Sequence, residues 1–326
     1  MNEPIFAIIL AGVVAGAAPI VLAAIGETIT EKAGLINLSL DGSILLSAMA
    51  AFVVSYKTQS LSAGFAAGAL TGAAVAAVIA VFSIYLKLSQ VAVGFVLTLM
   101  TRDLAYFLGN PYSRIYGPQV LPLPIPFLKD IPFIGPIFFQ HNITVYGSMI
   151  VIGLSWWYLY HTSLGLKLIS VGENPVASYA RGIHPHHLQM VYAICGGLLV
   201  GLAGAVFSLS AKPGWGRPQG AEGTGWIALA LVIFGGWNPV KAAAGAYMFA
   251  LLQVMGIYFQ GWFPSIPAQV FQTAPFPLMI FILVLMFAAQ QESVMIRVHN
   301  RPWLKSALRF FSSAAPAALG KSFHQQ

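Results

Sequence analysis

MNEPIFAIILAGVVAGAAPIVLAAIG, residues 1–26, contains one charged side chain, Glu3, and no Lys or Arg. From Pro4 onward it is apolar for long enough to cross a hydrocarbon core of about 30 Å as a helix. A secretory signal needs a positively charged start, and none precedes Lys32, so the stretch reads as a retained first span. The rest of the chain has the same character. Of its 326 residues, 58% are hydrophobic and 8% charged, against about 25% charged in soluble domains. A surface this apolar faces lipid. Backbone in lipid must satisfy itself as helices or a closed barrel. Barrel strands would show segments of about ten residues with alternating polarity. The runs here are longer and apolar on all sides, so the fold class is all-α, a polytopic transmembrane helical bundle of about 8–10 spans.

Nine spans are predicted, over 5–25, 38–56, 62–86, 89–109, 143–161, 188–210, 223–236, 240–260 and 275–291. The seventh is short and is expected to be tilted, broken or re-entrant. Residues 1–291 form the membrane domain and 292–326 a basic tail. If residues 166–183 are cytoplasmic and the spans alternate, ten Lys and Arg fall inside. They are Lys32, Lys87, Lys167, Arg181 and Lys241, then Arg297, Arg301, Lys305, Arg309 and Lys321. Six fall outside: Lys57, Arg102, Arg114, Lys129, Lys212 and Arg217. The excess obeys the positive-inside rule and puts the C-terminus in the cytoplasm. One re-entrant segment would flip the N-terminal side.

Gly64, Gly68 and Gly72 in the third span, and Gly197 and Gly201 in the sixth, repeat at fourfold spacing. Such faces let helices approach closely, here favouring packing inside one bundle, with dimerisation as the other reading. The Pro-rich stretch 110–142 is expected to be an ordered cap without a long helix. Trp156, Trp157, Tyr158 and Tyr160 suggest an interfacial belt or core packing. Cys195 reads as a small buried hydrophobe.

Catalytic patterns are missing. There is no His-Glu-x-x-His helix and no Gly-x-Ser-x-Gly elbow. His184, His186 and His187 lack carboxylate or thiol neighbours, and Pro185 is expected to break their helical spacing. Gly320-Lys321-Ser322 resembles the end of a phosphate loop, but Ala315 stands where its first glycine belongs. The basic residues are not clustered with stacking aromatics, so nucleic acid is not a partner. Arg102 and Asp103 are ionisable groups at membrane depth but sit near a span end, where Arg102 can snorkel.

Two polar islands interrupt the apolar runs. GETITEKAGLINLSLDGS, residues 26–43, holds Glu27, Glu31, Asn37 and Asp41. It reads either as a cytoplasmic loop or as a broken helix lining a pathway. Asp41 opens the second span, where a helix N-terminus favours its charge. LKLISVGENPVASYARGI, residues 166–183, is the second island. Asn174 is a good N-cap, Pro175 suits the first helical position and Gly182 the position after the C-cap. A helix over 175–181 follows. It is too short to stand alone, which leaves a surface turn or a docking helix.

TSLGLKLISVGENPVASYARGI (162–183), GETITEKAGLINLSLDG (26–42) and GWIALALVIFGGWNPVKAAAGA (225–246) together resemble ABC importer permeases for branched-chain amino acids, simple sugars and nucleosides. The likeness is strongest to the nucleoside and simple-sugar branch. It implies a multi-pass subunit of a bacterial inner membrane that is not itself an enzyme. Its partners would be cytoplasmic ABC ATPase subunits, a second and different permease, an extracytoplasmic substrate-binding protein and membrane lipid. ATP and Mg would be bound by the ATPase, and this chain would hold no cofactor and no metal. Within 162–187, Gly165, Lys167, Glu173, Asn174, Pro175, Ala177, Arg181 and Gly182 would couple it to the ATPase. Glu27, Asn37, Asp41, Trp226 and Asn238 would lie along the substrate pathway. Many relatives have Glu at Asp41, Gly at Ser39 and a small residue at Arg181. The alternative is a secondary transporter of small polar solutes driven by an ion gradient, which would usually need more buried ionisable groups than Arg102 and Asp103.

Overall fold

A computed structural model describes residues 5–263, 265–274, 276, 277, 280, 281, 284 and 314–321. The predicted ninth span, 275–291, lies almost wholly outside the described residues, as do Arg297, Arg301, Lys305 and Arg309. Helices dominate. They are α1 (Ile5–Lys32), α2 (Leu40–Thr58), α3 (Leu61–Ala80), α4 (Gln90–Gly109), α5 (Ile134–Phe138) and α6 (Ile143–His161). Then come α7 (Ser163–Glu173), α8 (Pro175–Ala180), α9 (Pro185–Val206), α10 (Thr224–Phe234), α11 (Pro239–Trp262) and α12 (Ala268–Thr273). Among the described residues no strand forms, and Pro122 and Asn142 make an isolated bridge. α3 and α9 each run on through a wide π turn, Val81–Tyr85 and Phe207–Ala211. Among the described residues, seven helices are long and apolar enough to cross a membrane, and α10 is a shorter apolar helix. The protein is a multi-pass helical membrane protein.

α1, α2, α9, α10 and α11 share the main core, which includes Ile25, Leu40, Phe52, Leu231 and Phe249. The glycine faces are consumed inside this bundle. A Cβ on Gly68 would sit 2.9 Å from the Ala205 Cβ, and one on Gly72 would meet the Gly197 carbonyl and Gly201 backbone. α3 and α9 therefore pack with their backbones almost in contact, the geometry that small residues permit. The residues 110–142 form an ordered cap. Leu123 and Ile125 N–H donate to His141 and Phe139 carbonyls, both at 2.9 Å. Asn142 Nδ2 donates to Ser210 Oγ at 2.7 Å, tying the cap to the end of α9.

Three expectations need correction. α1 does not stop at residue 25. It runs to Lys32, because Glu27, Thr28, Thr30 and Glu31 are buried against neighbouring helices rather than solvated. Pro185 does not break a helix, it begins one: α9 starts there, where a missing N–H costs nothing. Cys195 is exposed on the outer face of α9, not buried. Trp156 and Trp157 face outward as a belt would, whereas the Tyr158 hydroxyl pairs with Tyr192 at 2.7 Å.

Gly72→Val is expected to destabilise the bundle by about 2 kcal/mol or more through overpacking. Gly153→Ala, where an added Cβ meets nothing within 4 Å, is expected to be neutral or slightly stabilising. Thermal unfolding in detergent measures both.

Candidate functional site

Between α1 and α2 the chain leaves helical geometry at residues 33–39 and re-enters it inside the bundle. Leu38 packs on Gly94, and Gly42 packs on Thr98 and Thr101. α2 therefore begins about 12–16 Å along α4 at 1.5 Å per residue. Irregular backbone at that depth is tolerated only where protein satisfies its polar groups. Partners can be named for most of them. Ile36 N–H donates to Gln90 Oε1 at 2.8 Å, and Asn37 N–H to Glu27 Oε1 at 3.0 Å. The Leu38 carbonyl accepts from Thr98 Oγ1 at 2.5 Å, and the Ala33 carbonyl from Gln189 Nε2 at 3.1 Å. Asn37 Oδ1 takes Ser39 N–H at 3.0 Å and Ser39 Oγ at 2.7 Å. Leu35 N–H returns to the Thr30 carbonyl at 3.3 Å.

A second half-helix meets this segment. The N-terminus of α10 abuts the N-terminus of α2, with Gly225 seated on the Leu40–Asp41 backbone. Asp41 Oδ1 accepts from Gly225 N–H at 3.2 Å. One carboxylate, 5% exposed, thus serves the positive ends of two helices. The turn after α10 closes on α1, where Trp237 Nε1 donates to Glu31 Oε2. α10 spans the depth between Asp41 and Glu31.

The α7–α8 pair builds the near end of the bundle. The chain from 162 to 173 is a helix rather than a loop, opened by Thr162 Oγ1 accepting from Gly165 N–H at 3.0 Å. Gly165 lies on the Tyr158–Leu159 backbone, and Gly172 lies on the Lys32 carbonyl. α7 is therefore seated directly on the end of α1. Asn174 breaks the helix and starts the next, its Oδ1 accepting from Ala177 N–H at 2.9 Å. Pro175 is the first residue of α8. Gly182, at φ 80°, closes it: Ile183 N–H bonds the Ser178 carbonyl at 3.1 Å and Gly182 N–H the Tyr179 carbonyl at 2.9 Å. Both bonds of a Schellman cap are present. Val176 and Tyr179 of α8 and its C-cap residue Arg181 are exposed, with the Tyr179 ring beside His184 at 6.3 Å. Lys167 lines a shallow cavity with His184 and His187.

At the opposite end, Glu222 anchors the turn that leads into α10. It accepts from the Tyr106 hydroxyl, from Gln219 N–H at 2.7 Å and from Gly220 N–H at 2.6 Å. Burial pushes its carboxyl up, but these donors outweigh burial and hold it below the ordinary carboxylate value of 4.5. Arg217 lies over the Tyr106 ring at 4.8 Å. Two cavities of about 510 and 750 Å³ open here, one beside Arg114, Lys212 and Trp215 and the other beside Tyr106 and Arg217. Neither is lined by Glu27, Asn37 or Asp41.

Of the residues expected along a pathway, the structure brings Glu27 and Asn37 into contact and sets Asp41 one turn further on. Glu27 is 0% exposed in this conformation. Trp226 is half-exposed and packs near Phe95. Asn238 caps α11 through Val240 and Lys241 N–H at 3.0 and 3.3 Å. These two do not join the Glu27–Asp41 group. Gln90, Thr98, Gln189 and Glu222 were not anticipated, and Trp237 was anticipated only as part of the block 225–246. Polar side chains in otherwise apolar runs were the available signal for the first three.

Residues 9–289 match the family described as the permease component of branched-chain amino acid transport systems. TsgC13 of Haloferax volcanii, provisionally named a glucose ABC transporter permease protein, is 36% identical over 251 residues, 76% of each chain. The nucleoside ABC transporter permease protein NupC of Lactococcus lactis is 31% identical over 85% of this chain and 92% of its own. The guanosine ABC transporter permease protein NupQ of Bacillus subtilis is 30% identical, covering 86% and 92%. No solved structure matches the chain.

Gln90→Leu would orphan the Ile36 N–H and is expected to cost about 1–3 kcal/mol, read as a lower melting temperature and faster hydrogen exchange at residues 33–39. The Glu222 anchor has a depressed folded-state pKa, so its contribution is complete above pH 4.5 and is lost as pH falls below that value. Hydrogen-exchange protection factors of residues 214–223, corrected for intrinsic exchange, should hold steady from neutral pH to pH 5 and fall only in stronger acid.

Proposed function

The chain belongs to the family of permease components of branched-chain amino acid transport systems, and from that membership we propose that it is the permease subunit of an ABC importer. It passes nucleosides or simple sugars by alternating access, driven by separate ATPase subunits that bind ATP and Mg. A second permease and an extracytoplasmic binding protein complete the assembly, and the α8 end with the C-terminus faces the cytoplasm of an inner membrane. The observation that carries this reading is α8 itself. It is a helix closed at both ends by its own sequence, with an exposed Val176–Tyr179–Arg181 face, mounted through Gly172 on the end of a spanning helix. A six-residue helix with no tertiary task would not stay folded in water. A partner pressing on it moves α7 and, through the Lys32 contact, the unwound segment beyond α1.

The class of solute follows from Asp41. In broken-helix transporters the positive ends of half-helices attract anionic substrate groups. Here this chain's own carboxylate already occupies that position, so a carboxylate substrate would meet repulsion. A neutral polyhydroxyl solute, which donates hydrogen bonds to carboxylate oxygens, suits the site. That supports sugars or nucleosides over amino acids, in keeping with the similarity to NupC, NupQ and TsgC13.

Gly182 tests the coupling role. An added side chain there meets nothing within 4 Å, so only the left-handed backbone is at stake. In the assembled complex, Gly182→Val should lower transport and substrate-stimulated ATP hydrolysis together, by about tenfold if it strains the cap by about 1.4 kcal/mol. Gly182→Asn, which tolerates left-handed backbone, should keep most of both. Wild-type coupling in the Val variant would sink the assignment. Transport by the isolated chain in liposomes on a sodium or proton gradient would sink the whole reading.

A further inference from the structure

Residues 314–321 return to the α8 end of the bundle and dock at one place. Ala318 N–H donates to the Gly172 carbonyl at 2.9 Å, Gly320 N–H to the Gly34 carbonyl at 3.1 Å and Ala317 N–H to Glu173 Oε2 at 3.2 Å. Pro316 and Ala318 are buried. Gly320 takes a left-handed φ of 73°, and a Cβ on it would come 3.0 Å from Ile36 Cδ1. Lys321 Nζ folds back to the Ala317 carbonyl at 2.8 Å.

The groups it meets lie on the two sides of one joint. The Gly172 carbonyl belongs to the last turn of α7, where no residue further along the helix can donate to it. The Gly34 carbonyl belongs to the stretch that lost helical bonding between α1 and α2. The same short segment therefore satisfies the end of the α8 mount and the start of the unwound segment. It does so beside the direct packing of these parts, where Gly172 sits on the Lys32 carbonyl and Leu168 shares a buried cluster with Ala33.

We propose that residues 314–321 are a positioning strap that makes α7–α8 and the unwound segment 33–39 move as one body. The proposal rests on the reading of α8 as the ATPase-coupling helix. The strap touches neither solute nor nucleotide. It acts by transmitting displacement across the joint. Two isolated contacts can slip independently, whereas three bonds from one continuous segment fix the relative position of both partners.

The test uses the complete complex with its ATPase, second permease and binding protein, reconstituted in vesicles. One variant ends after Ser313. Two full-length variants are Ala318→Asp, which places a charge at a buried site, and Gly320→Val, which strains the left-handed turn. All three should assemble with the ATPase and keep basal ATP hydrolysis, because the α8 face is intact. Solute moved per ATP should fall by about tenfold, within the usual range of coupling between sites. A Glu173→Cys, Ala317→Cys pair in a Cys195→Ser background, bridged by a bis-maleimide, should transport at the unbridged rate, since the joined parts move together. Normal transport per ATP in the truncated and both full-length variants overturns the proposal. So does loss of transport on bridging, which would mean that the strap must leave. Gly182→Val supplies the reference. If it uncouples while the strap variants do not, only the strap falls. If it has no effect either, the coupling reading falls with it. Should truncation prevent insertion, the two point variants decide alone.

Discussion

A chain that stops being helical inside a membrane protein must give every exposed backbone N–H and carbonyl another partner, and residues 33–39 set this requirement. Neighbouring turns meet only part of it, through the Thr30 and Glu31 carbonyls, and water cannot supply the rest. Gln90, Glu27, Thr98 and Gln189 do so from three different helices, and Gly320 adds the carbonyl of Gly34. Each of these side chains would be a liability in an apolar span if it stood alone. As a set they convert a break in a helix into a fixed joint. The burial of Glu27 and Gln90 is thus a consequence of the unwound segment, not an independent feature.

The joint organises its surroundings in two directions. Toward α4 and α10 it brings the starts of two half-helices together on Asp41, so that a single carboxylate balances both N-termini. Toward α7 it leaves the end of α1 as a flat seat, which only a glycine can approach. Gly172 provides that approach, and α8 is then held at a fixed distance from the break by little more than one helical turn and one cap. α8 and the unwound segment are thus neighbours through direct packing, without any long-range device.

How much of this was legible in the sequence depended on how far each partner lay along the chain. The α8 caps were readable because Asn174, Pro175 and Gly182 act within three residues of the groups they serve. The spans over α3, α4 and α6 were readable from apolar length alone. The end of α1 was not, since GETITEK has the composition of a loop and becomes helix only because neighbouring helices bury Glu27, Thr30 and Glu31. α7 was missed for a related reason: its apolar face, Leu168 and Val171 between the seating glycines Gly165 and Gly172, is short and interrupted by Lys167, Ser170 and Glu173. Gln90 and Gln189 serve backbone groups 54 and 156 residues away, and nothing local marks such a pairing. The family resemblance rests on the same three blocks, and the match over residues 9–289 bears it out.

The distribution of acids completes the argument. The chain has nine Asp and Glu, and five of them are committed to N–H or O–H donors of their own protein. Glu27 serves Asn37, Glu31 serves Trp237, Asp41 serves Gly225, Glu173 serves Ala317, and Glu222 serves the turn before α10. Three of these five, Glu27, Glu173 and Glu222, hold irregular backbone in place. Carboxylates spent this way have little capacity left to grip a solute tightly. A translocation path needs binding favourable enough to enter and weak enough to leave. Charge in this chain is used to shape the joint.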